Sequence, residues 1–252
     1  ILIRVEEALG KAYTLPLEVC VAESEGEMGY LIEQTLQNKL TQHHKKHPVV
    51  SLLTQVIVDK NDPLFHRPTK PIGPWYTKTQ AQKIQRQGLH MAEIEPGKYR
   101  RVVPSPRPIK IDDVAIIKDL LQKDAIVIAA GGGGIPVYEE KGKLHGIAAV
   151  IDKDLASACL AKAVRAELFL IVTGVKKVAL YYGGKNQKSL SKLSIKEAQQ
   201  YLKEGHFPEG SMGPKIEAAI DFLKHGGKQV IITHPSVVRQ ALRGKEGTQI
   251  FL

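Results

Sequence analysis

The stretch "AVIDKDLASACLAKA", residues 149–163, carries an apolar strand-like end straight into a helical pattern and places three charged side chains in the join. Asp152 and Asp154 suit that join, because the first turn of a helix presents unpaired N–H groups and the positive end of its dipole. Lys153 does not. A cation at that pole is locally unfavourable, and an anionic partner such as a phosphate would give it a reason. Moving outward, Leu155, Ala158, Cys159, Ala163 and Ala166 share one helical face, and "LFLIVT" (168–173) follows as a buried strand. On the other side lie the strand "AIVIA" (125–129), the turn "AGGGGIP" (130–136) and two short polar segments up to Val150. Strands joined by helical crossovers predict a parallel sheet and an α/β fold.

The alternation extends in both directions. Residues 25–42 and 112–123 read as helices, and "VVSLLTQVIVD" (49–59) as a continuous apolar strand buried on both sheet faces. Pro63, Pro68, Pro71 and Pro74 fall within twelve positions and exclude regular helix or central strand, and the irregular stretch runs on to "RRVVPSPRP" (100–108). Residues 60–108 are therefore expected to leave the main fold as a small lobe or lid. Further along, Ser194 and Glu197 spell a capping box flanked by Leu193 and Ala198. Pro214 opens a helix with an Ile216, Ala219, Ile220, Leu223 stripe, ended by Gly226 and Gly227 before the strands "QVIIT" and "GTQIFL". The opening residues Ile1, Val5, Ala8 and Leu9 read as the inside of a helix, which points to sequence upstream.

Composition narrows the function classes. With 252 residues, 43% of them hydrophobic, the chain can bury a core in one large or two small domains. Cys20 and Cys159 form no CxxC pair and are too few for a disulfide framework, so a reducing, cytoplasmic setting is expected. No apolar run reaches membrane-spanning length, and no secretory signal pattern opens the sequence. The net charge of +10 invites a nucleic-acid partner, yet the lysines are scattered and aromatics make up only 6%. A basic surface serves a small anionic substrate equally well, so no nucleic-acid and no membrane partner is expected. "HHKKH" (43–47) admits two readings, a solvated helix end or a metal site without partner ligands nearby in sequence.

In open parallel sheets, ligands bind beyond the carboxyl ends of strands. Gly131, Gly132, Gly133 and Gly134 follow such a strand; bare amides there can approach an anion, or simply make a tight turn. The pattern matches neither the P-loop nor the dinucleotide fingerprint. "GSMGPK" (210–215) repeats the oddity of Lys153: Gly210, Gly213 and Pro214 shape a helix entry, and Lys215 stands in its first turn. Either lysine alone reads as an exposed surface residue. Both together read as a pair flanking one transferring phosphoryl group.

The strings "VDKNDPLFHRPTKPIGP" (58–74), "YRRVVPSPRP" (99–108), "IVIAAGGGGIP" (126–136), "AVIDKDLAS" (149–157), "EGHFPEGSMGPKIEAAI" (204–220) and "GKEGTQI" (244–250) closely resemble carbamate kinase, of the amino-acid kinase superfamily. The resemblance runs through nearly the whole chain. It implies one kinase domain over residues 1–252 with a three-layer α/β/α fold, a mainly parallel open sheet and a protruding lobe at 60–108. It also implies a homodimer and the reaction ATP + carbamate ⇌ ADP + carbamoyl phosphate with Mg2+, at the end of arginine breakdown. Two glycine-rich loops of the family precede the position of Ile1, which predicts weak or no turnover for these 252 residues alone.

Carried over by motif, Lys153 and Lys215 stabilise the phosphoryl group in flight, and Asp154 positions the lysines. Lys70 closes over the carbamate side from the lobe, while Gly131 to Gly134 approach the phosphate chain. Thr173 to Tyr182 and the Met212-Gly213 entry border the nucleotide; no side chain is implied as a metal ligand. Ser24, Glu25 and Gly26 stand where the family has Ser-Gln-Gly, and a carboxylate can only accept where an amide could donate. Gly174 and Lys176 likewise replace two acids near the nucleotide. These departures keep open a catalytically impaired nucleotide-binding or regulatory relative, or a kinase for another small carboxylate.

Overall fold

The structure is a computed structural model that describes residues 15–208 and 210–252. The helix expected around Ile1 to Leu9 lies outside the described residues, as does Glu209. The chain divides into two compact units, one up to Lys153 and one from Asp154 onward.

The first unit opens with α1 (Leu17–Gln42), which starts eight residues ahead of its expected boundary. Pro16, which has no N–H to leave unpaired, stands just ahead of the first helical residue. Ser24, Glu25 and Gly26 consequently lie inside a helix. The apolar run at 49–59 is not one strand but two, β1 (Val49–Ser51) and β2 (Gln55–Val58). Thr54 causes the break: its Oγ1 donates to Leu52 O (2.9 Å) and accepts from the Ala130 N–H (2.8 Å), so the chain turns between the strands.

Residues 60–108 are more regular than their prolines suggested. β3 (Lys70–Tyr76), α2 (Lys78–Gln85), β4 (Met91–Glu95) and β5 (Lys98–Val103) form an antiparallel sheet of order β3-β5-β4 with its own helix. Pro71 and Pro74 sit in β3, an edge strand of that sheet, where a missing N–H is tolerated. Thr77 and Gln80 close a capping box at the start of α2.

The unit continues with β6 (Pro108–Ile111), α3 (Val114–Gln122), β7 (Ile126–Ile128), β8 (Ile135–Glu140) and β9 (Lys143–Gly146). β1 pairs with β7 in parallel, and a second sheet runs β6-β2-β8-β9 with β2 and β8 parallel. Val56, Ile57, Val58, Ile111, Ile117, Val137 and Ile151 are buried apolar residues of this unit.

From the division onward come α4 (Lys153–Ala163), β10 (Leu168–Val172), β11 (Val178–Leu180), β12 (Lys188–Leu190), β13 (Lys192–Ser194), α5 (Ile195–Lys203), α6 (Met212–Lys224), β14 (Gln229–Thr233), α7 (Val238–Leu242) and β15 (Thr248–Phe251). The main sheet runs β10-β14-β15-β13; β10/β14 and β13/β15 are parallel, β14/β15 antiparallel. The parallel pairs expected from the crossovers are thus present in both units, and antiparallel neighbours make the open sheets mixed. β10 is an edge strand and alternates rather than being buried throughout: Phe169 and Ile171 face the core while Leu168 and Val172 are exposed.

The core joins Ile216, Ala219, Phe222 and Leu223 of α6 to Phe169, Leu193, Val230, Ile232 and Ile250. The rings of Phe169 and Phe222 are 5.5 Å apart and tilted. Ser194 and Glu197 make both bonds of the expected capping box. Among the described residues, no helix is long and apolar enough to cross a membrane.

Candidate active site

At the junction, exposure alternates over residues 152–154. Asp152 and Asp154 are buried, whereas Lys153, the first residue of α4, is exposed. Asp154 Oδ2 accepts a hydrogen bond from Lys215 Nζ at 2.8 Å, and each of these side chains is only 9% exposed. The Lys215 ammonium also donates to Ser211 O at 3.3 Å. Lys215 reaches this position because α6 starts at Met212, where the Gly213 N–H donates to Pro208 O (2.9 Å) and turns the chain into the helix. An isolated buried ammonium would be prohibitively costly, and a paired one contributes little net stability compared with apolar packing. Its placement therefore points to chemistry. In the first unit, Lys70 Nζ donates to Asp152 Oδ2 at 2.7 Å.

Lys215 also lines a cavity of about 270 Å³ in the second unit. Its walls come from Thr173, Gly174 and Val175 after β10, from Lys177 and Ala179, from Tyr182, and from the approach to α6, namely His206, Phe207, Pro208, Ser211 and Met212. Five residues singled out from the sequence, Thr173, Gly174, Tyr182, Met212 and Lys215, are brought together here. Gly213 is buried, and a Cβ on it would stand 3.0 Å from Pro208 O.

Sequence reasoning missed His206 and Phe207 as wall residues, whereas Lys177 falls within the stretch 173–182 expected to border the nucleotide. Both missed residues lie in the motif "EGHFPEG", which the sequence marks without giving either a role. Lys177 Nζ donates to Ser191 Oγ at 3.0 Å. His206 meets Tyr181 edge to face at 4.7 Å and lies 3.3 Å from Glu204 Oε2.

The glycine turn adopts the tight-turn form. Ala130, Gly132, Gly133 and Gly134 all have positive φ; the Gly133 N–H donates to Ala130 O and the Gly134 N–H to Gly131 O, each at 3.1 Å. Gly133 is required sterically, since a Cβ there would lie 2.2 Å from Ile151 O. Glu25 clasps the turn: its Oε1 accepts from the Gly131 N–H (3.0 Å) and its Oε2 from the Thr54 N–H (3.1 Å). Burial pushes the Glu25 carboxyl above its ordinary range, against the opposing pull of the bonds from Thr54 and Gly131. The two neighbours behave differently. Ser24 Oγ donates back to Cys20 O (2.9 Å) on the exposed side of α1, and Gly26 is exposed. Among the described residues, no group of three or more His, Cys, Asp or Glu side chains could hold a metal ion, at "HHKKH" or elsewhere.

Comparison with known proteins shows the family. Residues 72–234 match the amino acid kinase family. Carbamate kinase from Pyrococcus furiosus is 46% identical over 236 residues, covering 93% of this chain and 75% of its own length. The carbamate kinase-like protein YahI of Escherichia coli is 47% identical over 238 residues, with the same coverages. Among solved structures, carbamate kinase from Giardia lamblia bound to AMP-PNP superposes with a TM-score of 0.87 at 38% identity, over 98% of this chain and 78% of that one. With fold and sequence in agreement over nearly its whole length, the chain belongs to the amino acid kinase family, in its carbamate kinase group.

Proposed function

We propose that the protein moves a phosphoryl group reversibly between ATP and carbamate, giving ADP and carbamoyl phosphate. The observation that carries this reading is the buried Lys215 ammonium, held 2.8 Å from Asp154 in the wall of the cavity. In the ATP-forming direction, the bond between phosphorus and the carbamoyl oxygen breaks, carbamate departs, and a β-phosphate oxygen of ADP forms the new P–O bond. Negative charge spreads over the peripheral oxygens of the loose transition state, so fixed cations are the main help a protein can give. Lys215, positioned by Asp154, supplies one, and Lys153 supplies another.

Thr173, Tyr182, Met212 and Gly213 border the nucleotide in this reading, and the apolar faces of Phe207 and Met212 suit a base. In this reading Gly131 to Gly134 approach the phosphate chain. Lys70, held by Asp152, serves the carbamate side from a lobe at 60–108. Mg2+ fits as a passenger of the nucleotide, held mainly by phosphate oxygens, because the described residues offer no acidic cluster to cage it. A homodimer working in the cytoplasm on carbamoyl phosphate from arginine breakdown completes the proposal.

The test is ATP formation from carbamoyl phosphate, ADP and Mg2+, with Lys215→Ala as the control. Turnover that falls about 10²–10³-fold in the variant supports the reading; turnover left unchanged by Lys215→Ala overturns it. Glu25, engaged on the glycine turn, favours one second reading, a nucleotide-binding relative without turnover. ADP binding by calorimetry without ATP formation would select that one.

A further inference from the structure

We propose that Glu25 is a specificity-determining residue whose carboxylate acts as a built-in anion on the glycine turn and sets that turn against phosphate-bearing ligands. The inference rests on the reading above, which puts Gly131 to Gly134 on the phosphate side.

Three amide donors of the turn are already engaged: Gly133 and Gly134 on carbonyls of the turn itself, and Gly131 on Glu25 Oε1. The Gly131 amide therefore meets a carboxylate oxygen where a ligand anion would otherwise bond. The carboxylate is held like a bound anion, by two backbone N–H groups from separate segments, Gly131 and Thr54, and Glu25 is only 4% exposed. It also packs tightly, for a Cβ built on Gly131 would meet Glu25 Cγ at 3.3 Å. No room remains between side chain and turn for a second group.

A phosphate at this turn must either displace the carboxylate or stand beside it. Like charges about 4 Å apart, partly shielded from water, weaken affinity by roughly a hundredfold to a thousandfold. A glutamine of the same shape keeps one acceptor, carries no charge and offers an N–H to the anion. A purely structural clasp would hold Thr54 and Gly131 in the same way and leave anion affinity independent of the charge at position 25.

Inorganic phosphate is the probe. Calorimetry on the wild type and on Glu25→Gln is expected to give at least tenfold tighter binding by the variant; equal affinity in a folded variant overturns the proposal. A second measurement needs no variant: in the wild type, the Gly131 and Thr54 amide resonances are expected to show no saturable shift on phosphate titration, and a saturable shift of both overturns it. Neither readout involves turnover. A turnover that depends on Lys215 while Glu25→Gln binds phosphate unchanged sinks this inference alone, and tighter phosphate binding by the variant with a turnover indifferent to Lys215→Ala sinks the proposed reaction alone.

Discussion

Glu25 and Gly133 are residues whose neighbours decide what a substitution does. Burial raises the Glu25 carboxyl above its ordinary value, so the folded chain holds this proton more tightly than the unfolded one. Its contribution to stability is then greatest below the ordinary carboxylate value and declines as pH rises towards the folded one. Denaturant unfolding of the wild type and Glu25→Gln at a series of pH values is expected to show this decline in the wild type and a flatter profile in the variant. Gly133→Ala drives a methyl to 2.2 Å from Ile151 O at a φ of +119°, whereas Gly132, at +67°, has nothing within 4 Å of its virtual Cβ. The first change should destabilise by more than ~2 kcal/mol and the second by about 1 kcal/mol, the ordinary cost of a left-handed alanine. Thermal unfolding of the two variants checks the order. Lys215 was legible in the sequence, because a cation in the first turn of a helix breaks a local rule. The acceptor-only character of Glu25 was legible too, but its partner Gly131 lies 106 positions away, and no local pattern reports such a contact.

At the level of elements, local chemistry carried furthest where a segment makes its own bonds. The capping box of α5 is one such case, since Ser194 accepts from the Glu197 N–H while the Glu197 side chain accepts from the Ser194 N–H. Ser194→Ala is expected to cost about 1 kcal/mol, read as a fall of about 2–4 °C in Tm, with no change in nucleotide affinity. The α6 stripe was equally plain. The split between β1 and β2 was not, because it depends on the bond from the Ala130 amide to Thr54 Oγ1, across 76 residues of chain. Prolines misled in the other direction: Pro71 and Pro74 argued against regular structure, yet an edge strand leaves some N–H positions unused, and β3 accommodates both. The start of α1 was placed late because α1 keeps few buried residues, Glu25 and Gly29 among them, so its apolar periodicity is weak.

The whole chain carries a net charge of +10, and scattered lysines of this kind suit the attraction of small anions. Sedimentation is expected to give about twice the chain mass of 27.8 kDa for the proposed homodimer; a single species at the chain mass would count against that part of the proposal. Family and fold class were legible because the diagnostic strings run the length of the sequence, whereas the division at Lys153 and Asp154 left no mark in composition.

The proposed phosphoryl transfer depends on the Lys215 ammonium, and on Asp154 only through it. The direct measurement is kcat for ATP formation by the wild type, Lys215→Ala, Asp154→Asn and the double variant. A loss of about 10²–10³ is expected for Lys215→Ala, a smaller loss for Asp154→Asn, and little further loss from Asp154→Asn once Lys215 is gone. Wild-type kcat in Lys215→Ala, or an Asp154→Asn loss that persists in full without Lys215, would contradict that dependence.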